Sequence, residues 1–258
     1  MSLLKIKRLS IGVDDALLVK GIDFSIEENK TLAIIGESGS GKTLTALSIM
    51  GLLDRSKFDV KGEALFLGEN LFSKKEKDLK KLYLDEIAIV HQNPFKSLSP
   101  VEKIKTNIKN IYRIKRRKAE DGWLESLFSK MGLDINKFLN KYPYECSGGE
   151  LQRIMVLFSI LFAPKLLICD EITSALDYET AMALISLLKD LKEQNRMSLL
   201  FISHDISIVK NIADEVLIMK NGQIVEAGGG KDVFEKPNID YTKELIEATY
   251  LGKKYVEN

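Results

Sequence analysis

The chain has 258 residues, 45% of them apolar, enough to bury one substantial core and to exclude a chain dominated by disorder. Its 38 basic residues nearly balance 37 acidic ones, so the formal charge of +1 gives no global attraction to nucleic acid or to an anionic membrane. Two cysteines, Cys146 and Cys169, are too few for a disulfide framework or a cysteine metal cluster, and no run of roughly 18 apolar residues marks a membrane span.

Residues 3–11 and 17–26 alternate in the manner of strands, and the apolar run TLAII at 31–35 reads as a buried strand ending at a glycine-rich loop. After Thr43, LTALSIMGLL has near-helical spacing, and EALFLGENLF at 63–72 reads as strand, turn and short continuation. Another strand begins near Glu86 in EIAIV. The charged, periodic interval from about 96 to 145 is too long for a bare loop and predicts an inserted helical subdomain, with Pro143 near its exit. LQRIMVLFSILFA at 151–163 predicts a core helix too short to cross a bilayer. KLLICDE, MSLLFISHD and EVLIMKNGQIVEAG predict strands, with a helix from Asp177 to Lys192 among them. This alternation is that of an α/β fold, expected as one domain over 1–258 with a charged helical tail over about 231–258.

GESGSGKT satisfies every constrained position of a phosphate loop and follows a predicted strand. Its residues are Gly36, Glu37, Ser38, Gly39, Ser40, Gly41, Lys42 and Thr43. Glycines let backbone amides and the following helix N-terminus surround phosphates, Lys42 adds positive charge, and Thr43 offers a hydroxyl to Mg²⁺. The plain alternative is a glycine turn with an exposed lysine. LLICDE at 166–171 buries a strand and leaves Asp170 and Glu171 where it emerges. Asp170 suits a Mg²⁺-bound water, and Glu171 suits acceptance of a proton from water attacking the γ-phosphate of ATP. Alone, such acids are equally a solvated strand end.

These motifs, with Gln92 in HQNP, CSGGE at 146–150, ICDEITSALD at 168–177 and SHD at 203–205, resemble the ATPase subunits of ATP-binding cassette transporters in order and spacing. The resemblance covers nearly the whole chain. It implies an α/β phosphate-loop hydrolase core with an inserted helical subdomain and an antiparallel β subdomain near the N-terminus. It implies ATP and Mg²⁺ as cofactors, Thr43, Gln92 and Asp170 at the metal, and Glu171, His204 and Gln92 in catalysis. Ser147, Gly148 and Gly149 would reach the nucleotide of an opposite subunit, and Asp177 would couple two sites across a dimer. Read without the family, Ser147 is a good helix cap and His204 is open between core hydrogen bonding and chemistry.

The sequence departs from the family pattern at Cys146, where leucine is usual, at Ile172, where proline is usual, and at Val13, where an aromatic residue commonly stacks on adenine. The loss of that face predicts weaker base stacking. GESGSGKT, NPFKSLSP and DYTKELI resemble the dipeptide, oligopeptide and nickel importer subgroup. That subgroup implies a second cassette ATPase, two membrane permeases and an extracellular solute-binding protein as partners, at the cytoplasmic face of the membrane, with no direct nucleic acid. Gln92 and the Asn93–Pro100 segment, Lys96 included, would receive a permease helix. Two alternatives are a cassette ATPase remodelling a ribosomal or nucleic-acid complex, disfavoured by the neutral charge, and a small-molecule kinase, which leaves CSGGE and SALD without a joint role.

Overall fold

The computed structural model describes residues 2–91, 98–115 and 122–254. Two sheets organise the described residues. The first is antiparallel, in the order β2 (Ala16–Glu27), β1 (Ser2–Val13), β4 (Phe58–Phe66), β5 (Glu69–Asn70). In β1 the buried side chains change parity, from Leu4 and Ile6 to Leu9 and Ile11. A bulge absorbs the extra residue: Arg8 takes φ 48°, and the pairing with both β2 and β4 slips there. Gly62 makes the bulge possible on the facing strand, because a Cβ there would lie 2.6 Å from the carbonyl oxygens of Lys7 and Arg8.

The second sheet runs β10 (Gln223–Gly229), β9 (Glu215–Lys220), β3 (Thr31–Ile35), β8 (Ser198–Ser203), β7 (Leu166–Asp170), β6 (Ile87–Val90). All its pairs are parallel except β9 with β10. That pair is joined by Asn221 and Gly222, both at positive φ, the two-residue turn that matches strand twist. Every residue of β3, β7 and β8 is buried, as a parallel sheet covered on both faces requires. Alternate side chains serve two cores. Leu32, Ile34, Leu166, Ile168, Leu200 and Ile202 pack with the antiparallel sheet and with helix α1 (Lys42–Ile49). Ala33, Ile35, Leu167, Cys169, Leu199 and Phe201 pack against the helices of the other face. At about 1.5–3 kcal/mol for each fully buried Leu, Ile or Phe, this burial fixes which way each strand faces.

Helix α2 (Glu76–Asp85) precedes β6, and the described residues between β6 and CSGGE, the signature segment at 146–150, include the α-helices α3 (Ile104–Lys115), α4 (Trp123–Lys130) and α5 (Ile135–Phe138). The Trp123 indole N–H donates to the Leu161 carbonyl at 3.0 Å, tying α4 to the end of α6 (Gly148–Ile160). The expected helix over 151–163 starts and ends three residues earlier than read. The Ser147 hydroxyl accepts from the Glu150 N–H at 3.3 Å, and the Glu150 carboxylate accepts from the Ser147 N–H at 2.8 Å, a capping box that begins the helix at Gly148. After β7 comes α7 (Tyr178–Asn195), capped by the Asp177 carboxylate, which accepts from the Thr180 N–H at 2.9 Å. Helix α8 (Ile206–Val209) follows β8, and α9 (Gly230–Glu235) and α10 (Asp240–Lys254) follow β10. Among the described residues no helix is long and apolar enough to cross a membrane.

Candidate nucleotide site

Strand register gathers the sequence motifs at one edge. Ile35 pairs with Ser203, and Asp170 pairs with Ile202, so β3, β7 and β8 end together. Gly36, Glu171 and His204 each follow one of those ends, at the carboxyl edge where open α/β sheets hold ligands.

The phosphate loop is braced from behind by the β9–β10 hairpin. The Gly222 N–H donates to the Ser40 carbonyl at 3.0 Å, and a Cβ on Gly36 would fall 2.1 Å from the Met219 carbonyl oxygen. Only glycine allows so close an approach. The Lys42 ammonium donates to the carbonyls of Gly36 at 2.7 Å and Glu37 at 2.8 Å. Burial pulls the Lys42 pKa down, opposed by the nearby Glu171, Asp170 and Glu37 carboxylates. Ser38, Gly39, Gly41, Lys42, Thr43, Leu44 and Glu171 line an open cleft of about 300 Å³.

Beside this cleft the Thr43 hydroxyl donates to Asp170 Oδ1 at 3.0 Å, over a separation of 127 residues. Asp170 is buried, and desolvation raises its pKa despite the Thr43 hydrogen bond and the charges of His91 and Lys42. A hard divalent cation fits this pair: both donors are oxygens, and a positive charge would favour the ionised aspartate that burial disfavours. Among the described residues no cluster of three or more His, Cys, Asp or Glu side chains forms a metal cage. One carboxylate and one hydroxyl suit Mg²⁺, which takes its remaining oxygens from phosphate and water. Glu171 turns sharply out of β7 at φ 51°, its N–H held by the Ile202 carbonyl at 2.9 Å. His204 Nδ1 lies 3.5 Å from Glu171 Oε2, the histidine half exposed and the glutamate largely covered.

Ser147, Gly148, Gly149 and Asp177 are not among the residues that line this cleft. Ser147 and Gly148 are exposed, and a Cβ on Gly148 would meet nothing within 4 Å. On Gly149 it would touch Thr180 and Leu176 in ordinary contact. Cys146 is a buried free thiol whose pKa is raised chiefly by burial, and Ile172 is buried. Val13 ends β1 opposite Phe58, so strand register sets an aromatic residue of β4 beside the position whose aromatic is missing in sequence. Gln92 and residues 93–97, including Lys96, lie outside the described residues. Sequence motifs also miss a contact behind the loop: the Glu37 N–H donates to the Tyr241 hydroxyl of α10 at 3.4 Å. Its only sequence signal is that Tyr241 stands in DYTKELI.

The sequence profile described as ABC transporter matches residues 19–174, from β2 through the phosphate loop to beyond the acids where β7 ends. The chain belongs to the ABC transporter family. An ABC cassette of this family is an ATP-hydrolysing domain, and the phosphate loop and both acids are intact here. Among curated relatives, the chain is 36% identical to the uncharacterised ABC transporter ATP-binding protein YejF of Escherichia coli, over 97% of this chain and 49% of that one. The chain therefore spans about half the length of YejF. It is 35% identical to the oligopeptide transport ATP-binding protein OppD of Bacillus subtilis, over 95% of this chain and 71% of that one. It is also 35% identical to CntD, the ATP-binding protein of a metal-staphylopine import system in Staphylococcus aureus, over 95% of this chain and 93% of that one. Among solved structures, cbiO1 of Clostridium perfringens, part of the ABC transporter complex cbiONQ, aligns with TM-score 0.79 and 26% identity over 98% of this ABC cassette and 99% of its own chain.

Proposed function

We propose that this ABC cassette is the peripheral ATPase subunit of a membrane importer for a peptide, nickel or a related solute, and that MgATP binding and hydrolysis at the cleft drive the import cycle. The observation that carries the reading is the meeting of Thr43 and Asp170 at 3.0 Å beside Lys42 and Glu171. Importer names among the relatives, OppD and CntD, support the transport role and leave the cargo between peptide and metal complex.

In this reading the loop amides and Lys42 bind the ATP phosphates, and Thr43, Asp170 and Gln92 hold Mg²⁺. When bound, Mg²⁺ supplies positive charge to the phosphate oxygens on which negative charge develops. Glu171 accepts the proton of the attacking water. His204 orients toward the γ-phosphate while its Nδ1 faces the Glu171 carboxylate. Ser147, Gly148 and Gly149 of one cassette contact the nucleotide held by a second, related or identical, and Asp177 couples the two sites. The exposed, unfilled approach to Gly148 supports that role. Gln92 and the segment after it contact one of two permeases, and an extracellular solute-binding protein delivers cargo to the complex.

The test combines MgATP binding, ATPase assay and copurification with membrane permeases. Lys42→Ala should lose phosphate engagement, because a positively charged donor is removed. Parent protein that neither binds MgATP nor copurifies with permeases would overturn the reading, and transfer of phosphate to an acceptor other than water would replace it with a kinase.

A further inference from the structure

The Gly36 carbonyl and the Glu37 N–H belong to one peptide unit, which is planar and moves as a plate. Two side chains hold its opposite edges. Lys42 donates to the carbonyl at 2.7 Å, and the Tyr241 hydroxyl accepts from the N–H at 3.4 Å. The Lys42 ammonium has three donors, two of them engaged with the carbonyls of Gly36 and Glu37, so a phosphate either takes the third or competes with the loop for the other two. A phosphate that draws Lys42 away loosens the carbonyl edge of the plate at the moment the loop has to keep its shape.

We propose that Tyr241, in the first turn of the C-terminal helix, is a positioning residue for the phosphate loop, holding the Gly36–Glu37 peptide by its N–H while Lys42 turns to the nucleotide. The inference rests on the reading of this loop as an ATP site.

The tyrosine is itself firmly mounted. It is buried, and the Lys220 ammonium, at the end of β9, lies 3.9 Å from its ring centroid. The next residue, Thr242, is fully buried. The Glu226 carboxylate of β10 accepts from the N–H groups of Asn238 at 2.8 Å and Ile239 at 3.4 Å, fixing the chain as it enters α10. The same hairpin braces the loop through Gly222 and Met219, so the tyrosine and the loop share one backing. Burial pushes the Tyr241 pKa up; the Glu37 amide opposes this, and the Glu37 carboxylate adds to it, so the hydroxyl stays protonated at neutral pH. Its oxygen lone pairs remain available to the amide.

The experiment uses the full chain, assembled with its native partners for the kinetic arm. Binding of a fluorescent ATP analogue with Mg²⁺, steady-state ATPase kinetics and thermal midpoints are compared for the parent, Tyr241→Phe and Glu226→Gln. Tyr241→Phe keeps the ring and its Lys220 contact and deletes only the hydroxyl. The expected result is a roughly 2- to 10-fold rise in Kd and KM for MgATP, the range for one neutral hydrogen bond, with the loss falling on KM rather than kcat and an unmoved thermal midpoint. Glu226→Gln, which loosens the mount without touching the loop, should raise KM in the same direction by less. Equal Kd and KM for Tyr241→Phe and the parent would overturn the inference alone. So would a loss confined to kcat, or one that tracks a fall in thermal midpoint. Parent protein that binds no MgATP would overturn the nucleotide reading and this inference with it.

Discussion

His204 Nδ1 lies 3.5 Å from Glu171 Oε2, joining the residue that follows β8 to the one that follows β7. Because β7 and β8 are neighbouring parallel strands whose ends are in register, the imidazole is delivered to the carboxylate by the sheet itself. Asp170 is held by the Thr43 hydroxyl, and Glu171 lines the cleft.

Glu171→Gln should therefore separate binding from chemistry. Glutamine has nearly the same size but does not accept the proton, so turnover is expected to fall by roughly 10²- to 10⁴-fold with MgATP binding retained. The ATP-bridged pair of cassettes should accumulate. Single-turnover hydrolysis, with both chains assembled and the partner's site disabled, measures this directly. Turnover equal to the parent would remove Glu171 from the role of base.

Gly148→Ala tests the signature segment. Its added methyl group meets nothing of its own chain, and at the start of α6 alanine is the better helix former by roughly 0.5–1 kcal/mol at most. The isolated chain should be as stable as the parent or slightly more so. ATP-driven association, followed by light scattering or sedimentation, should nevertheless weaken if a second nucleotide approaches that surface. Unchanged association would mean that Gly148 is no contact point.

Asp214 gives the fold a defined acid sensitivity. Its carboxylate accepts from the Thr31 N–H at 2.7 Å, the buried Lys192 ammonium at 2.9 Å and Lys30 at 3.2 Å. Burial raises its pKa, but these donors together outweigh it and leave the pKa lowered. A depressed carboxylate pKa stabilises the fold above the ordinary value near pH 4, and that contribution is lost as pH falls through the depressed one. Asp214→Asn should cost roughly 1–3 kcal/mol at neutral pH, below the full loss of a buried pair because Asp214 is partly exposed. Urea unfolding at several pH values should show the gap between variant and parent closing in acid. A gap independent of pH would assign the effect to packing.

The phosphate loop, the acids of β7 and the strands around them are legible because each is a local pattern: a glycine spacing, an apolar run, a carboxylate where the run stops. The meeting of Thr43 with Asp170 follows from those patterns and from parallel pairing. Other features are not local. The bulge at Arg8 shows in sequence only as a slip of parity between Ile6 and Leu9. Helix α2 is largely polar, with Leu79 buried amid lysines and acids, so its apolar signal is faint. The start of α6 is set by a reciprocal cap between Ser147 and Glu150, ahead of the apolar run that marks its body. Tyr241 meets Glu37 across 204 residues, and no spacing rule connects a tail helix to a phosphate loop.

Glu171 occupies left-handed backbone, at φ 51°, which disfavours a side chain of its kind by about 1–2 kcal/mol relative to glycine. With Glu171 in the proposed role of base, stability and activity should pull this position in opposite directions. A mutant library screened only for survival of heating should drift toward glycine or asparagine at 171, whereas one screened for growth dependent on the imported solute should return glutamate. Sequencing both survivor pools would show whether the strain at the end of β7 is a cost that selection tolerates for the sake of turnover.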